Sequence, residues 1–220
     1  MLRAINLVLC VALAGCPATG DVPDAGGRDA RNDLDAPPQS GGLVFEFGTD
    51  PVVPGTVGTK VRVDEVRVYW RDVRAIGDSA PGDYRTSIAT LDLDWQGNNM
   101  PAPLAFPQAP PGLYSRLEAR AGGGEKAYEI RGVVALNGGG MESFEISDEA
   151  NESISIPLTG VMVNTARVTA RITLSLGFLA AVDWDGLWNE RHDLKIETGD
   201  PAIGPISAAL AVSFALTDVH

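Results

Sequence analysis

The sequence predicts a mainly β domain, an antiparallel two-sheet sandwich with one or two short helical segments near its C-terminus. Three observations carry this reading. From Leu43 onward, short apolar runs alternate with polar residues and are separated by Gly, Pro and Asn, the texture of half-buried strands joined by turns. Val163 to Leu176 shows the alternation most clearly. Ala166, Val168, Ala170, Ile172, Leu174 and Leu176 share one face, and Arg167, Thr169, Arg171, Thr173 and Ser175 the other. A chain of 220 residues is also long enough to build a core without cross-links. Strands with one polar face pack most simply as two layers, with a closed barrel as the alternative.

Taken in order, Leu43, Phe45 and Phe47 face one way in the first strand, and a Pro/Gly-rich loop spans Asp50 to Lys60. Val61 to Val73 is a longer strand whose phase slips: Val61 and Val63 have one parity, Val66, Val68 and Trp70 the other. A bulge near Asp64-Glu65 reconciles them, because one extra residue moves the face. Ile76 to Arg85 reads as a polar hairpin loop, and Ala89, Leu91, Leu93 and Trp95 alternate after it. Leu104 to Phe106 is a short apolar piece, and Pro110-Pro111-Gly112 is a turn into a strand whose inner face is Leu113, Leu117 and Ala119. Beyond Gly122-Gly123-Gly124, Tyr128, Ile130, Val134 and Leu136 form the next set, ended by the Gly138 to Gly140 turn. Phe144 with Ile146, and Ile154 with Ile156 and Leu158, give two more strands. Phe178 to Trp188 has room for a short helix. Ile203, Ile206, Leu210 and Phe214 repeat at helical spacing behind Asp200-Pro201, although Ile206 to Leu216 also alternates; alanine richness favours the helix.

Ahead of this domain, residues 43–220, lie two segments of different character. Residues 1–15 hold a basic start at Arg3 and an apolar run from Ala4 to Leu13, too short for a bilayer, which needs roughly 20 residues. Residues 16–42 are rich in Asp, Ala, Gly and Pro and almost free of large apolar side chains, so they are expected to be a disordered acidic linker. A flexible coil of that length reaches roughly 25–30 Å.

Leu13-Ala14-Gly15-Cys16 resembles the bacterial lipobox at all four positions. The resemblance implies cleavage before Cys16, acylation of that cysteine, and tethering of the domain to a membrane. In that family's sorting logic an Asp directly after the cysteine retains the protein at the inner membrane. Pro17 stands there instead, which implies the cell outer membrane.

Composition removes several function classes. Of the two cysteines, Cys10 belongs to the signal and Cys16 is the lipid site, so no disulfide or thiolate site is expected. Formal net charge is −12, and loss of Arg3 with the signal leaves 16 basic against 29 acidic side chains. So acidic a chain is repelled by nucleic-acid phosphates, which excludes that partner. Of the two histidines, His192 sits in the charged run Asn189 to Asp193 and His220 ends the chain. That leaves little for a triad or a histidine metal site. No glycine-rich phosphate loop opens a helix, so no cofactor is expected.

Two stretches carry candidate chemistry. Asp92 and Asp94, followed by Gln96, Gly97 and Asn98, resemble half of a calcium loop, but Pro103 replaces the closing carboxylate. The structural alternative is a strand ending in a glycine turn. Asp183, Trp184, Asp185 and Trp188 place carboxylates beside aromatics, as glycan-binding surfaces and glycoside hydrolases do. The alternative there is a capped turn with a tryptophan packed inward.

Leu91-Asp92-Leu93, Pro110 to Ser115, and the long strand running into Val182-Asp183-Trp184 together resemble bacterial surface-lipoprotein sandwiches, over about two-thirds of the domain. A Gly-x-Tyr turn opens a central strand in such domains. A more distant likeness is to the periplasmic copper-handling domain of the MbnP type, whose metal-associated Trp, His and Cys have no counterpart here. The expectation is a non-enzymatic, lipid-anchored envelope module whose partners are the membrane and an envelope protein or glycan. The alternatives are a calcium-binding accessory and a glycan-active enzyme.

Overall fold

The structure, a computed structural model of the chain, describes residues 41–77, 84–122, 126–149 and 151–220. The expected signal, Cys16 and the linker as far as residue 40 lie outside the described residues, as do residues 78–83 of the expected hairpin loop and the glycines at 123–124.

In chain order the described strands are β1 (Leu43–Asp50), β2 (Gly55–Val57), β3 (Val61–Gly77), β4 (Tyr84–Gln96), β5 (Leu104–Phe106), β6 (Gly112–Ala121), β7 (Tyr128–Ala135), β8 (Met141–Asp148), β9 (Ser153–Val163) and β10 (Val168–Ser175). A 3₁₀ turn (Gly177–Ala181), helix α1 (Trp184–Arg191), β11 (Lys195–Ile196), helix α2 (Ile203–Val212) and β12 (Phe214–Val219) complete them. They form a two-sheet sandwich. The smaller sheet runs β12-β10-β1-β5; the larger runs β11-β8-β7-β3-β6-β9, with β2 and β4 also on β3. Pairing is antiparallel except for β1 with β10 and β8 with β11, which run parallel. No helix among the described residues is long and apolar enough to cross a membrane.

Strand β3 organises the larger sheet. β2 and then β4 lie along one of its edges; β7 and then β6 lie along the other. The register shifts between Val63 and Glu65, where the sequence places a bulge. A second shift falls between Arg71 and Arg74, where Asp72 has a φ of 51°. This bulge turns Val73 and Ala75 inward and lets β3 run on to Gly77. Ile76-Gly77 and Tyr84-Arg85 are therefore strand, not the expected loop.

Three further expectations are corrected. The expected strand from Val163 is two strands meeting at a bend, because the Asn164 Oδ1 accepts from the Ala166 N–H at 2.8 Å and closes a local turn. β9 instead reaches Val163 through Gly160, whose φ is 81°. In β6 the buried residue is Tyr114 rather than Leu113, since a register shift at Ser115 moves the face. The Tyr114 hydroxyl donates to the Pro110 carbonyl at 2.9 Å, which satisfies the phenol inside the core. Finally, Ile203 to Leu216 is both alternatives in succession, helix to Val212 and strand from Phe214.

The core lies between the sheets. Trp70 of β3 is 1% exposed and meets Phe47 of β1 and Phe214 of β12 edge-on. Helix α2 buries Ile203, Ile206, Ser207 and Leu210, one stripe at helical spacing. Ser207 donates to the buried Asp148 of β8 and shares a 2.8 Å hydrogen bond with the Tyr128 hydroxyl. Thr198 donates to the other Asp148 oxygen at 2.9 Å. A fully partnered buried network of this kind fixes the helix in one position.

Candidate functional site

The Asp183–Trp188 segment forms the start of α1, and each polar group in it holds the fold. The Asp183 side chain caps the helix, accepting from the Gly186 N–H at 3.0 Å. Trp184 is buried 4.7 Å from Phe144 between ring centroids, and its indole N–H donates to the Leu179 carbonyl at 3.0 Å. Asp185 reaches across a cleft of about 450 Å³ whose walls include Thr59 and Lys60. It accepts from the Asn137 N–H at 2.7 Å and lies 3.3 Å from the Lys60 ammonium. The Asn137 hydrogen bond, with help from Lys60, holds the Asp185 carboxyl below the usual carboxylate range. Trp188 is half-buried and edge-on to His192, which ends the helix in a left-handed conformation. Trp70, Trp95 and Trp184 are all buried, so these tryptophans do not assemble into an exposed platform for sugar rings.

Asp92 and Asp94 lie on the outer face of β4, opposite Tyr69 and Arg67 of β3. Asp94 Oδ1 is 3.6 Å from the Arg67 Nε. The strand ends in a tight turn in which the Asn99 N–H donates to the Gln96 carbonyl at 2.9 Å, with Gly97 at a φ of 59°. Among the described residues no three His, Cys, Asp or Glu side chains are gathered in a way that could hold a metal ion.

The structure brings together charged residues that sequence reasoning left on separate strands. On the outer face of the larger sheet, one row reads Gln96, Glu65, Arg131, Glu145 and Lys195 across β4, β3, β7, β8 and β11. The next reads Asp94, Arg67 and Glu129. Signs alternate along and between the rows. Arg67 lies 2.7 Å from Glu65, Arg131 lies 3.4 Å from Glu145, Lys126 lies 3.2 Å from Glu129, and Arg131 also pairs closely with Glu129. Glu65 and Glu129 are only 5% and 3% exposed, covered by the cations they bind. Cross-strand pairs of opposite charge contribute roughly 0.2–1 kcal/mol each. They also set register, since a two-residue slip would bring Glu65 opposite Glu129. The only sequence signal was an excess of charge at outward positions of β3 and β7; which charges meet depends on the bulge at Asp64.

Farther along β3 the pattern changes. Arg71 stands opposite Arg120 of β6, and Arg120 stands opposite Ser153 of β9. A cleft of about 280 Å³ opens beside Arg120 and Ser153. On another part of the molecule, Phe178, Val182, Leu187, Pro205 and Ile206 line an apolar cleft of about 320 Å³ between the 3₁₀ turn and the two helices.

No protein-family model, curated protein or solved structure matches this chain.

Proposed function

We propose that this chain is a lipid-anchored β-sandwich of the bacterial cell envelope, a non-enzymatic binding or structural module held at the outer membrane through acyl groups on Cys16. The observation that carries the reading is Leu13-Ala14-Gly15-Cys16 closing a short apolar run, followed by an acidic segment and then a folded domain. Each buried CH₂ of an acyl chain contributes about 0.8 kcal/mol, and two or more chains make attachment stable. The fold supports the non-enzymatic part. Asp183 and Asp185, the carboxylates best placed for glycan chemistry, are engaged in a helix cap and an ion pair. Asp94 is paired with Arg67.

Expression of the full chain in a Gram-negative host with radiolabelled palmitate tests this. The wild type is expected to incorporate label and sediment with outer membranes, and Cys16→Ser to be unlabelled and either uncleaved or soluble. Identical labelling and fractionation of the two would overturn the anchor.

A further inference from the structure

The cross-strand pairing of Arg71 with Arg120 breaks the rule that the rest of this sheet face follows. In the rows through Glu65 and Arg67, each cation has a carboxylate across the strand boundary. Arg71 and Arg120 have each other. Like charges directly opposite on a sheet repel, and neither guanidinium has an ion-pair partner among the described residues. The Arg71 Nε–H is buried without an acceptor, a state that buried donors rarely keep. The bulge at Asp72, with its φ of 51°, sits next to the pair, and bulges beside binding sites re-aim side chains.

The cleft alongside has the chemistry of an anion site. Arg120, Ser153 and Ser155 line it, together with Arg74, Asp72 and Glu118. Glu118 is held by Arg116 at 2.6 Å, so its charge is compensated from its own strand. Guanidinium groups present planar forks of donors that match tetrahedral oxyanions, and serine hydroxyls add further donors. Two arginines paired across a strand boundary are matched by a dianion; a single carboxylate neutralises only one of them. On a chain of net charge −12, the long-range field repels anions, so a saturable response has to come from a local cluster.

We propose that Arg71 and Arg120, with the Ser153 hydroxyl beside them, form a site for a dianionic phosphate group. The inference gives the binding module proposed above a ligand class, and rests on that reading for its cellular setting alone.

Titration of the full chain in detergent micelles with inorganic phosphate tests it, following the arginine Nε–H signals by NMR against chloride at matched ionic strength. The Arg71 and Arg120 signals are expected to move saturably. Arg71→Gln and Arg120→Gln should each weaken binding at least tenfold, whereas Arg171→Gln, on the other sheet beside Glu46, should leave it unchanged. Arg120 is exposed, so its variant keeps the fold even if Arg71→Gln does not, and a thermal melt of each variant confirms which are folded. No saturable shift at tens of millimolar phosphate, an equal response to chloride, or undiminished affinity in folded Arg120→Gln would overturn the site. Displacement of bound phosphate by phosphatidic acid vesicles, but not by phosphatidylcholine alone, assigns the source as a lipid headgroup; displacement by glycerol 3-phosphate alone assigns a soluble ester. These titrations do not depend on acylation, so a failed anchor and a failed site are told apart.

Discussion

Trp70 of β3 stands edge-on to Phe214 of β12, with ring centroids 4.8 Å apart, and this contact joins the larger sheet to the smaller one. Phe47 of β1 meets the same indole at 5.7 Å. Trp70→Ala removes the side chain that both aromatics lean on and leaves a cavity between the layers. The expected loss is about 3–5 kcal/mol, read as a lower urea midpoint. Trp70→Phe is expected to cost clearly less, since the Trp70 indole N–H has no acceptor to lose.

Asp148 accepts from Ser207 and Thr198, and Ser207 is in turn bonded to Tyr128. Asp148→Ala leaves the buried Ser207 hydroxyl short of its acceptor, at about 1–3 kcal/mol, and is expected to loosen α2. Amide hydrogen exchange faster in Ile203 to Val212 than in β3 would register that loosening; uniform protection would contradict it.

The Tyr128 phenol is pushed above its ordinary value of about 10 by burial. The neutral form is favoured in the folded state, so the unfolded chain loses this proton first as pH rises. Stability is therefore unaffected below about pH 10 and falls above it, until the folded group also ionises. Tyr128→Phe should flatten that alkaline slope in denaturation curves taken between pH 9 and 11, and an unchanged slope would remove Tyr128 as its source.

Asp185 has the opposite sign. Its carboxyl is held low by the Asn137 N–H and by Lys60, so its contribution is present above the ordinary carboxylate pKa and lost as pH falls through the lowered one. Asp185→Asn should reduce the acid sensitivity of the melting temperature. Asp183→Ala removes the cap of α1 and should cost about 1 kcal/mol.

Calcium at millimolar concentration is expected to leave the melting temperature unchanged, because Asp94 faces Arg67 and the turn after it closes on its own backbone. A rise of several degrees would place a cation on the chain.

Much of the fold was legible because burial in β1, β7, β10 and the part of β4 from Leu91 to Trp95 follows alternation, which a sequence displays directly; Ala89, expected on the same face, is exposed. What was not legible came from register. The bulge at Asp72 depends on an aspartate adopting a positive φ, which nothing in the neighbouring residues announces. Tyr114 replaced Leu113 inside because Ser115 is skipped in the pairing, a matter of partner strands and not of the strand itself. The burial of Glu65 and Glu129 was hidden for the same reason: each looks like a solvated outward residue until Arg67 and Arg131 are laid over it. The sequence shows which carboxylates lie beside tryptophans, but whether a carboxylate caps, pairs or reacts depends on Gly186, Asn137 and Lys60, which meet Asp183 and Asp185 in the folded chain.

The parallel pairing of β1 with β10 has a consequence for synthesis. Among the described strands β1 is made first, and its Glu46 finds its β10 partner, Arg171, 125 residues later. The central pair of the smaller sheet therefore cannot close until most of the chain has emerged. Among the described strands β5 alone can dock on β1 before then, and three residue pairs make a poor holding structure. Topologies dominated by such distant pairings fold slowly. A chain built this way can assemble the strands of its larger sheet up to β9 first, while its smaller sheet stays open until β10 has been made.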